Sequence, residues 1–202
     1  MRDTDAVFID PVPEQDATGA VADYYERQRA AWGFLPNYAA AFSTRPDVAL
    51  AWDTLNTAIR EGMDRRRFEI ATIAAARALR STYCTAAHSK FLRDECADEA
   101  TMRSIAAEPS GAALGPQDRA VYEFAGKVAV DASRVEQADV DRLRAAGLSD
   151  DDIADVVFAA AARSFFTRVI DGLGAQLDAQ TAETFPGDVL ESMIVGRPVA
   201  PA

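Results

Sequence analysis

Nucleophilic and acid–base side chains are scarce in this 202-residue chain, which holds one histidine, His88, and two cysteines, Cys84 and Cys96. His88 follows Cys84 by four positions, and residues four apart on a helix share a face, with Cβ atoms about 5–6 Å apart. At that range an imidazole can take the proton of a thiol and leave an activated nucleophile. Ser81 lies between two helical patterns and is suited to be an N-cap. As the cap it makes Cys84 the third residue of the helix, beside the free N–H groups and the positive dipole end that favour thiolate. The competing reading is a buried structural cysteine next to a hydrogen-bonded core histidine.

Three further residues join them as candidates. Glu69 precedes seven uncharged residues, Ile70–Ala76. A carboxylate facing such a surface needs a partner or a raised pKa, and either suits proton transfer. An ion pair with Arg65 or Arg66 is the alternative. Tyr83 can line the pocket around Cys84 or simply pack. Arg168 shares a helical face with Ala161, Ser164 and Phe165. It can anchor an acidic substrate or neutralise Glu69, against a buried pair with an acid such as Asp171. The Ser81 hydroxyl can bond the Cys84 thiolate or a bound oxygen as well as cap the helix. Trp32, Trp52 and the phenylalanines at helical spacing read as core or subunit interface.

The elements that must position these residues are helices. No stretch alternates polar and apolar with β-branched enrichment for long enough to be a strand. The pattern predicts N-terminal helices within 16–62: a first over Asp16–Ala31, a short second opened by Pro36, and a third capped by Ser43 or Thr44. The third carries the stripe Val48, Trp52, Leu55 and Ile59. A core region over 64–108 holds helices from Arg65 to Leu79 and from Thr82 to about Glu95. C-terminal helices within 116–185 follow a loop marked by Pro109, Gly111, Gly115 and Pro116. Ser133 with Glu136 and Ser149 with Asp152 fit capping boxes, the second opening a long helix to about Asp171. From Pro186 the tail reads as irregular. Gly172-Leu173-Gly174 follows a helix and lacks a third glycine, so it is no dinucleotide fingerprint. The whole is expected to be one all-α domain.

Composition narrows the function. Hydrophobic residues make up 49% and charged residues 26%, as in ordinary soluble domains. A net charge of −11 gives no electrostatic reason to bind nucleic acid or an anionic membrane. Met1–Pro11 lacks the basic and apolar regions of a signal peptide, and the apolar runs are too short to span a bilayer. The expectation is a cytoplasmic protein, where thiols stay reduced and can be catalytic.

Glu69, eleven intervening residues, then Ser81-x-x-Cys84-x-x-x-His88 resembles the core motif of the alkyl hydroperoxidase D and carboxymuconolactone decarboxylase superfamily. Arg65-Arg66-Arg67-Phe68-Glu69, Tyr83-Cys84-Thr85-Ala86-Ala87-His88-Ser89, Phe34-Leu35-Pro36-Asn37-Tyr38, Gly62-Met63-Asp64 and Gly147-Leu148-Ser149 resemble its peroxidase-related branch. The resemblance covers roughly residues 16–175. It implies an all-α, multi-helix alkyl hydroperoxidase D-like bundle that assembles as a dimer, trimer or hexamer, with no cofactor and no metal. It implies Cys84 as peroxidatic thiol, His88 as its base and Glu69 as relay carboxylate. The departure is Ser81, which stands where dithiol members carry the first cysteine. Cys96 is a poor substitute: twelve residues of continuous helix put it about 18 Å from Cys84, whereas a disulfide needs Cα atoms about 4.4–6.8 Å apart.

Three functions compete. In the first, a one-cysteine thiol peroxidase reduces a small peroxide and an external thiol restores Cys84. In the second, His88 and Glu69 move protons on a small lactone or keto acid, with Arg168 as carboxylate anchor and Cys84 only shaping the pocket. In the third, a non-catalytic oligomer uses Cys84 and His88 as a redox or metal sensor.

Overall fold

A computed structural model describes residues 7–201, so part of the leading stretch Met1–Pro11 lies outside the described residues. Eleven α-helices occur among them: α1 (Gly19–Trp32), α2 (Asn37–Phe42), α3 (Pro46–Gly62), α4 (Arg65–Ala78), α5 (Thr82–Asp94), α6 (Glu99–Ala107), α7 (Pro116–Asp131), α8 (Gln137–Ala145), α9 (Asp150–Gly172), α10 (Ala179–Ala182) and α11 (Gly187–Met193). The β structure among the described residues is one isolated bridge, Leu177 with Val199. No helix there is long and apolar enough to cross a membrane.

The centre of the molecule is α4. Nine consecutive residues, Phe68 to Ala76, are buried, which is the pattern of a helix covered on all sides. Ala71, Ala74, Ala75 and Ala76 let neighbouring helices approach closely, and α5, α7 and α9 all pack against α4. Three successive arginines at its N-terminus tie it to four separate places. Arg65 pairs with Glu95 beyond α5. Arg66 pairs with Asp98 before α6 and with Asp118 in α7. Arg67 pairs with Asp152 in α9. Asp64 caps the helix by accepting from the Arg67 N–H at 2.8 Å.

A tight turn then reverses the chain into α5. Arg80 adopts a left-handed φ of 61°, and the Ser81 N–H bonds the Ala76 carbonyl at 2.9 Å. This is the wrapped C-terminus usually given to glycine. Gly196, from the tail, closes over the turn: its N–H donates to Thr82 Oγ1 at 3.0 Å. A Cβ at Gly196 would stand 1.9 Å from the Arg80 carbonyl oxygen.

The helical framework follows the sequence pattern, with four differences. Residues 14–16 form a separate 3₁₀ turn, so α1 starts at Gly19 and not at Asp16. Neither Ser43 nor Thr44 caps α3: Arg45 holds that place, and the Ser43 hydroxyl is spent on the Val12 N–H and the Ala40 carbonyl. The capping box of α8 is Glu136 with Asp139, because Ser133 is held in a 3₁₀ turn by Asp131. Beyond Pro186 the chain is not irregular but forms α11, whose Val189 and Met193 are buried. α6 lacks a long apolar stripe, burying only Met102 and Ile105, and short helices of this kind owe their stability to packing more than to pattern. At the end of α9, Gly174 turns with φ 89° beneath the Phe8 ring, a close approach that no side chain would allow.

Candidate active site

The α4–α5 hairpin brings Glu69, Cys84 and His88 together. Glu69 is fully buried on α4. Its Oε2 lies 2.6 Å from His88 Nδ1 on α5, and its Oε1 lies 2.8 Å from Arg65 Nη2. The arginine contact is out of line for a hydrogen bond and acts as an ion pair. Glu69 thus makes the ion pair with Arg65 that one sequence reading expected, and its other oxygen meets the imidazole. Burial pushes the Glu69 carboxyl up to about 7, opposed by the cations Arg65, Arg163 and Arg60. Burial and the same three arginines push the His88 imidazole well below its ordinary value. The imidazole is therefore neutral around pH 7. With Glu69 ionised, Nδ1–H donates to the carboxylate and Nε2 is left as an acceptor; with Glu69 protonated, the carboxyl donates to Nδ1 and Nε2 carries the hydrogen. One proton on the carboxyl side thus decides whether Nε2 can take or give a proton.

Cys84 is the third residue of α5 and is 1% exposed. Its N–H reaches the Ser81 Oγ at 3.5 Å, so Ser81 is the N-cap. The sulfur, however, is held from α9. Thr167 Oγ1 donates to Sγ at 3.4 Å, and Arg163 Nη1 donates at 3.8 Å. Among the described residues no hydrogen bond joins His88 to the sulfur. The i, i+4 spacing puts both side chains on the wall of one cavity without a hydrogen bond between them.

That cavity has a volume of about 320 Å³. Trp52, Phe166 and Tyr38 supply aromatic walls, and Cys84, His88 and Arg163 supply the polar ones. Trp32 and Trp52 are thus cavity walls as well as core. Tyr83 also lines it, but its hydroxyl is committed to Asp178, whose Oδ1 in turn accepts from the Asn37 N–H at 2.7 Å. The ring of Tyr83 shapes the pocket while its hydroxyl ties α5 to the chain before α10. Ser81 is buried behind the cavity. Burial raises the Asp171 carboxyl, and hydrogen bonding from the Ser81 hydroxyl opposes this.

Arg168 is not brought to the site. It is exposed, as are its face-mates Ala161 and Phe165. The arginine that reaches the sulfur is Arg163, 4% exposed, with its guanidinium 5.5 Å from the Trp52 ring centre and 5.2 Å from that of Phe166. The sequence held a signal for it. The helical neighbours of Arg163 are Val156, Ala159, Ala160, Phe166, Thr167 and Ile170, and all are buried. Arg168 shares its face with Ser164 and residues turned outward.

Among the described residues no group of three or more His, Cys, Asp or Glu side chains is placed to hold a metal ion. Cys84 and Cys96 are both free thiols. Burial raises the Cys96 thiol, with Glu69 adding to the effect.

Comparison with known proteins agrees with the all-α fold. Residues 46–127 match the model of the carboxymuconolactone decarboxylase family. A stretch of 88 residues, 42% of the chain, is 38% identical to an alkyl hydroperoxide reductase of Mycobacterium tuberculosis. The match spans 25% of that relative's own length. Among solved structures, an alkylhydroperoxidase AhpD core, a peroxidase-related protein from Ralstonia eutropha JMP134, superposes with a TM-score of 0.77 at 25% identity, covering 87% of this chain and 94% of that one. A peroxidase-related protein from Silicibacter sp. TM1040 gives 0.72 at 20% identity, covering 89% and 95%. The debrominase Bmp8, in a variant complexed with 2,3,4-tribromopyrrole, gives 0.71 at 17% identity, covering 92% and 97%. The stretch that matches the carboxymuconolactone decarboxylase family model contains Glu69, Cys84 and His88, and the chain as a whole has the all-α fold of the alkylhydroperoxidase D-like proteins.

Proposed function

We propose that this protein is a thiol-dependent peroxidase of the one-cysteine type, acting through Cys84. The observation that carries the reading is the position of the Cys84 sulfur. It lies in a cavity wall and accepts hydrogen bonds from Thr167 and from the cationic Arg163, and His88, bonded to the buried Glu69, lines the same cavity. The thiolate is the nucleophilic form of cysteine. The thiolate attacks one peroxide oxygen, an S–O bond forms and the O–O bond breaks. The sulfur is oxidised to sulfenic acid, and the leaving oxygen takes a proton, by way of His88, to depart as water or alcohol. Glu69 resupplies the imidazole through Nδ1. An external thiol then condenses with the sulfenic acid, releasing water, and a second thiol reduces the mixed disulfide. Ser81 in place of a first cysteine makes the external thiol necessary. The likeness to an alkyl hydroperoxide reductase and to peroxidase-related structures supports the same chemistry.

The test is one equivalent of hydrogen peroxide followed by a sulfenic-acid-specific probe and peptide mapping. Labelling at Cys84 that disappears with excess thiol is expected. Label confined to Cys96, or no label, overturns the proposal.

A second reading rests on the couple itself. A buried carboxyl raised to about 7 against a neutral imidazole suits proton transfer on a small lactone or keto acid, with no covalent step at sulfur. Cys84→Ala separates the two: the peroxidase loses turnover, whereas the acid–base enzyme keeps most of it. A metal-sensing role is not favoured, because no third ligand joins Cys84 and His88 among the described residues. We further propose a cytoplasmic homo-oligomer that engages neither nucleic acid nor membrane, as its charge of −11 implies.

A further inference from the structure

We propose that the cavity selects an organic substrate bearing a carboxylate, which Arg163 binds beside Cys84. The inference deepens the reading of Cys84 as the reactive group of this cavity and rests on it.

Arg163 is a buried cation that no carboxylate pairs with among the described residues. Its residue is 4% exposed, and a guanidinium carries five N–H donors that need acceptors when removed from water. Among the described residues its one hydrogen-bonding partner is the Cys84 sulfur at 3.8 Å, and no carboxylate pairs with it. Its Nε is buried with no partner at all. Arg65 also has a buried Nε without a partner, but unlike Arg163 it pairs with two carboxylates, Glu69 and Glu95, through Nη2. Arg163 and Glu69 feel each other's charge, but no hydrogen bond or ion pair joins them among the described residues, and the two carboxylate oxygens face His88 and Arg65.

The surroundings fix the guanidinium in place. It lies against the rings of Trp52 and Phe166, with centroid distances of 5.5 and 5.2 Å, so its orientation is held before any ligand arrives. A planar, preorientated guanidinium matches the two oxygens of a carboxylate better than a single peroxide oxygen. Three arginines line the cavity, Arg27, Arg60 and Arg163, against Asp53 and Glu95, and Glu95 is already neutralised by Arg65. The local balance is cationic in a chain whose net charge is −11. The global charge disfavours anions, so a cationic pocket must work against that field, which fits an anionic ligand and not a neutral one. Aromatic walls and a volume of about 320 Å³ add that the body is small and apolar or aromatic.

Paired alkylating agents of similar size test this. Iodoacetate and iodoacetamide both transfer their carbon to sulfur with loss of iodide, and only the first carries a carboxylate. The ratio of their rates at Cys84, followed by intact mass and peptide mapping, cancels the nucleophilicity of the thiol. The ratio should exceed that of a small free thiol in wild type and fall about tenfold in Arg163→Gln, the loss expected for one charge-assisted bond. Benzoate should protect Cys84 of the unmodified protein against iodoacetamide, and neutral benzamide should not; this comparison stands even if the variant fails to fold. An equal ratio in both proteins, or protection that does not distinguish benzoate from benzamide, overturns the carboxylate site. A Cys84 inert to both reagents overturns the nucleophile reading beneath it. Neither reagent is a peroxide, so failure of the sulfenic acid test leaves these outcomes separate.

Discussion

In the proposed chemistry, Glu69 is the residue that sets the protonation of His88. Its burial is complete, and it carries one proton too many or too few depending on pH near 7. That has a consequence for stability. Between the ordinary carboxyl value of 4.5 and about 7, the unfolded chain has released the Glu69 proton and the folded protein keeps it. The unfolded state then binds fewer protons, so this group's contribution to stability falls as pH rises through that window. His88 acts in the opposite sense: its value is lowered in the fold, so its contribution is lost as pH falls from about 6.5. The two slopes partly cancel in the wild type. The stability of wild type relative to Glu69→Gln should therefore decline from pH 4.5 to about 7, by at most about 3 kcal/mol. Urea unfolding of both proteins across that range checks it. A constant difference would mean that the carboxyl ionises as freely folded as unfolded. Arg163 and Thr167 belong to the same scale. They reach the sulfur from a helix about eighty positions along the chain, which no local spacing around Cys84 encodes.

At the scale of elements, the α4–α5 hairpin is the device that makes a site out of Glu69 and His88. Their separation of nineteen positions is useful only because the turn at Arg80 folds α5 back against α4. Gly196 seats the tail on that turn. Gly196→Ala places a Cβ into the Arg80 carbonyl, and overpacking of this kind costs about 1–3 kcal/mol. A lower Tm with faster amide exchange at the start of α5 is expected; an unchanged Tm would mean that the tail is not seated there. The cap position offers a second test. Ser81 and Cys84 are joined through the cap contact of α5, so Ser81→Cys restores a CxxC pair at a helix N-terminus. One equivalent of peroxide should then yield a mass loss of two hydrogens and an internal disulfide in place of the sulfenic acid. The loss of the hydroxyl cap should cost about 1 kcal/mol. Persistence of the sulfenic acid would show that the two positions cannot close a bridge.

For the molecule as a whole, the long helix α9 has two working faces. The inner one presents Arg163 and Thr167 to the cavity, and the outer one leaves Phe158 and Phe165 exposed at 55% and 44%. The resemblance implies an oligomer, and large exposed rings on a single-chain surface are suited to an interface. The protein is expected to elute with a mass above its 21.7 kDa chain in light-scattering chromatography, and Phe158→Glu is expected to lower that mass. A monomer in both proteins would place these rings in solvent. The helical nature of the chain was legible from periodicity, caps and breakers, as at Ser149–Asp152 and at Pro46, because those signals act within one turn of the backbone. The local signal misled at Ser43, drawn to the distant Val12, and at Ser133, where a competing local turn with Asp131 took the hydroxyl.

By itself the sequence determined an all-α fold and the trio Glu69, Cys84 and His88, since helix periodicity and the fixed spacing of a motif are properties of neighbouring residues. Only the tertiary structure decided what holds the sulfur, which arginine faces it, and that the imidazole is bonded to the carboxyl and not to the thiol. The physical reason is that a helix fixes the angular order of its residues but not its own rotation against its neighbours. Arg163 and Arg168 are equally polar interruptions of α9, and the packing of α9 on α3 and α4 turned one inward and the other to solvent.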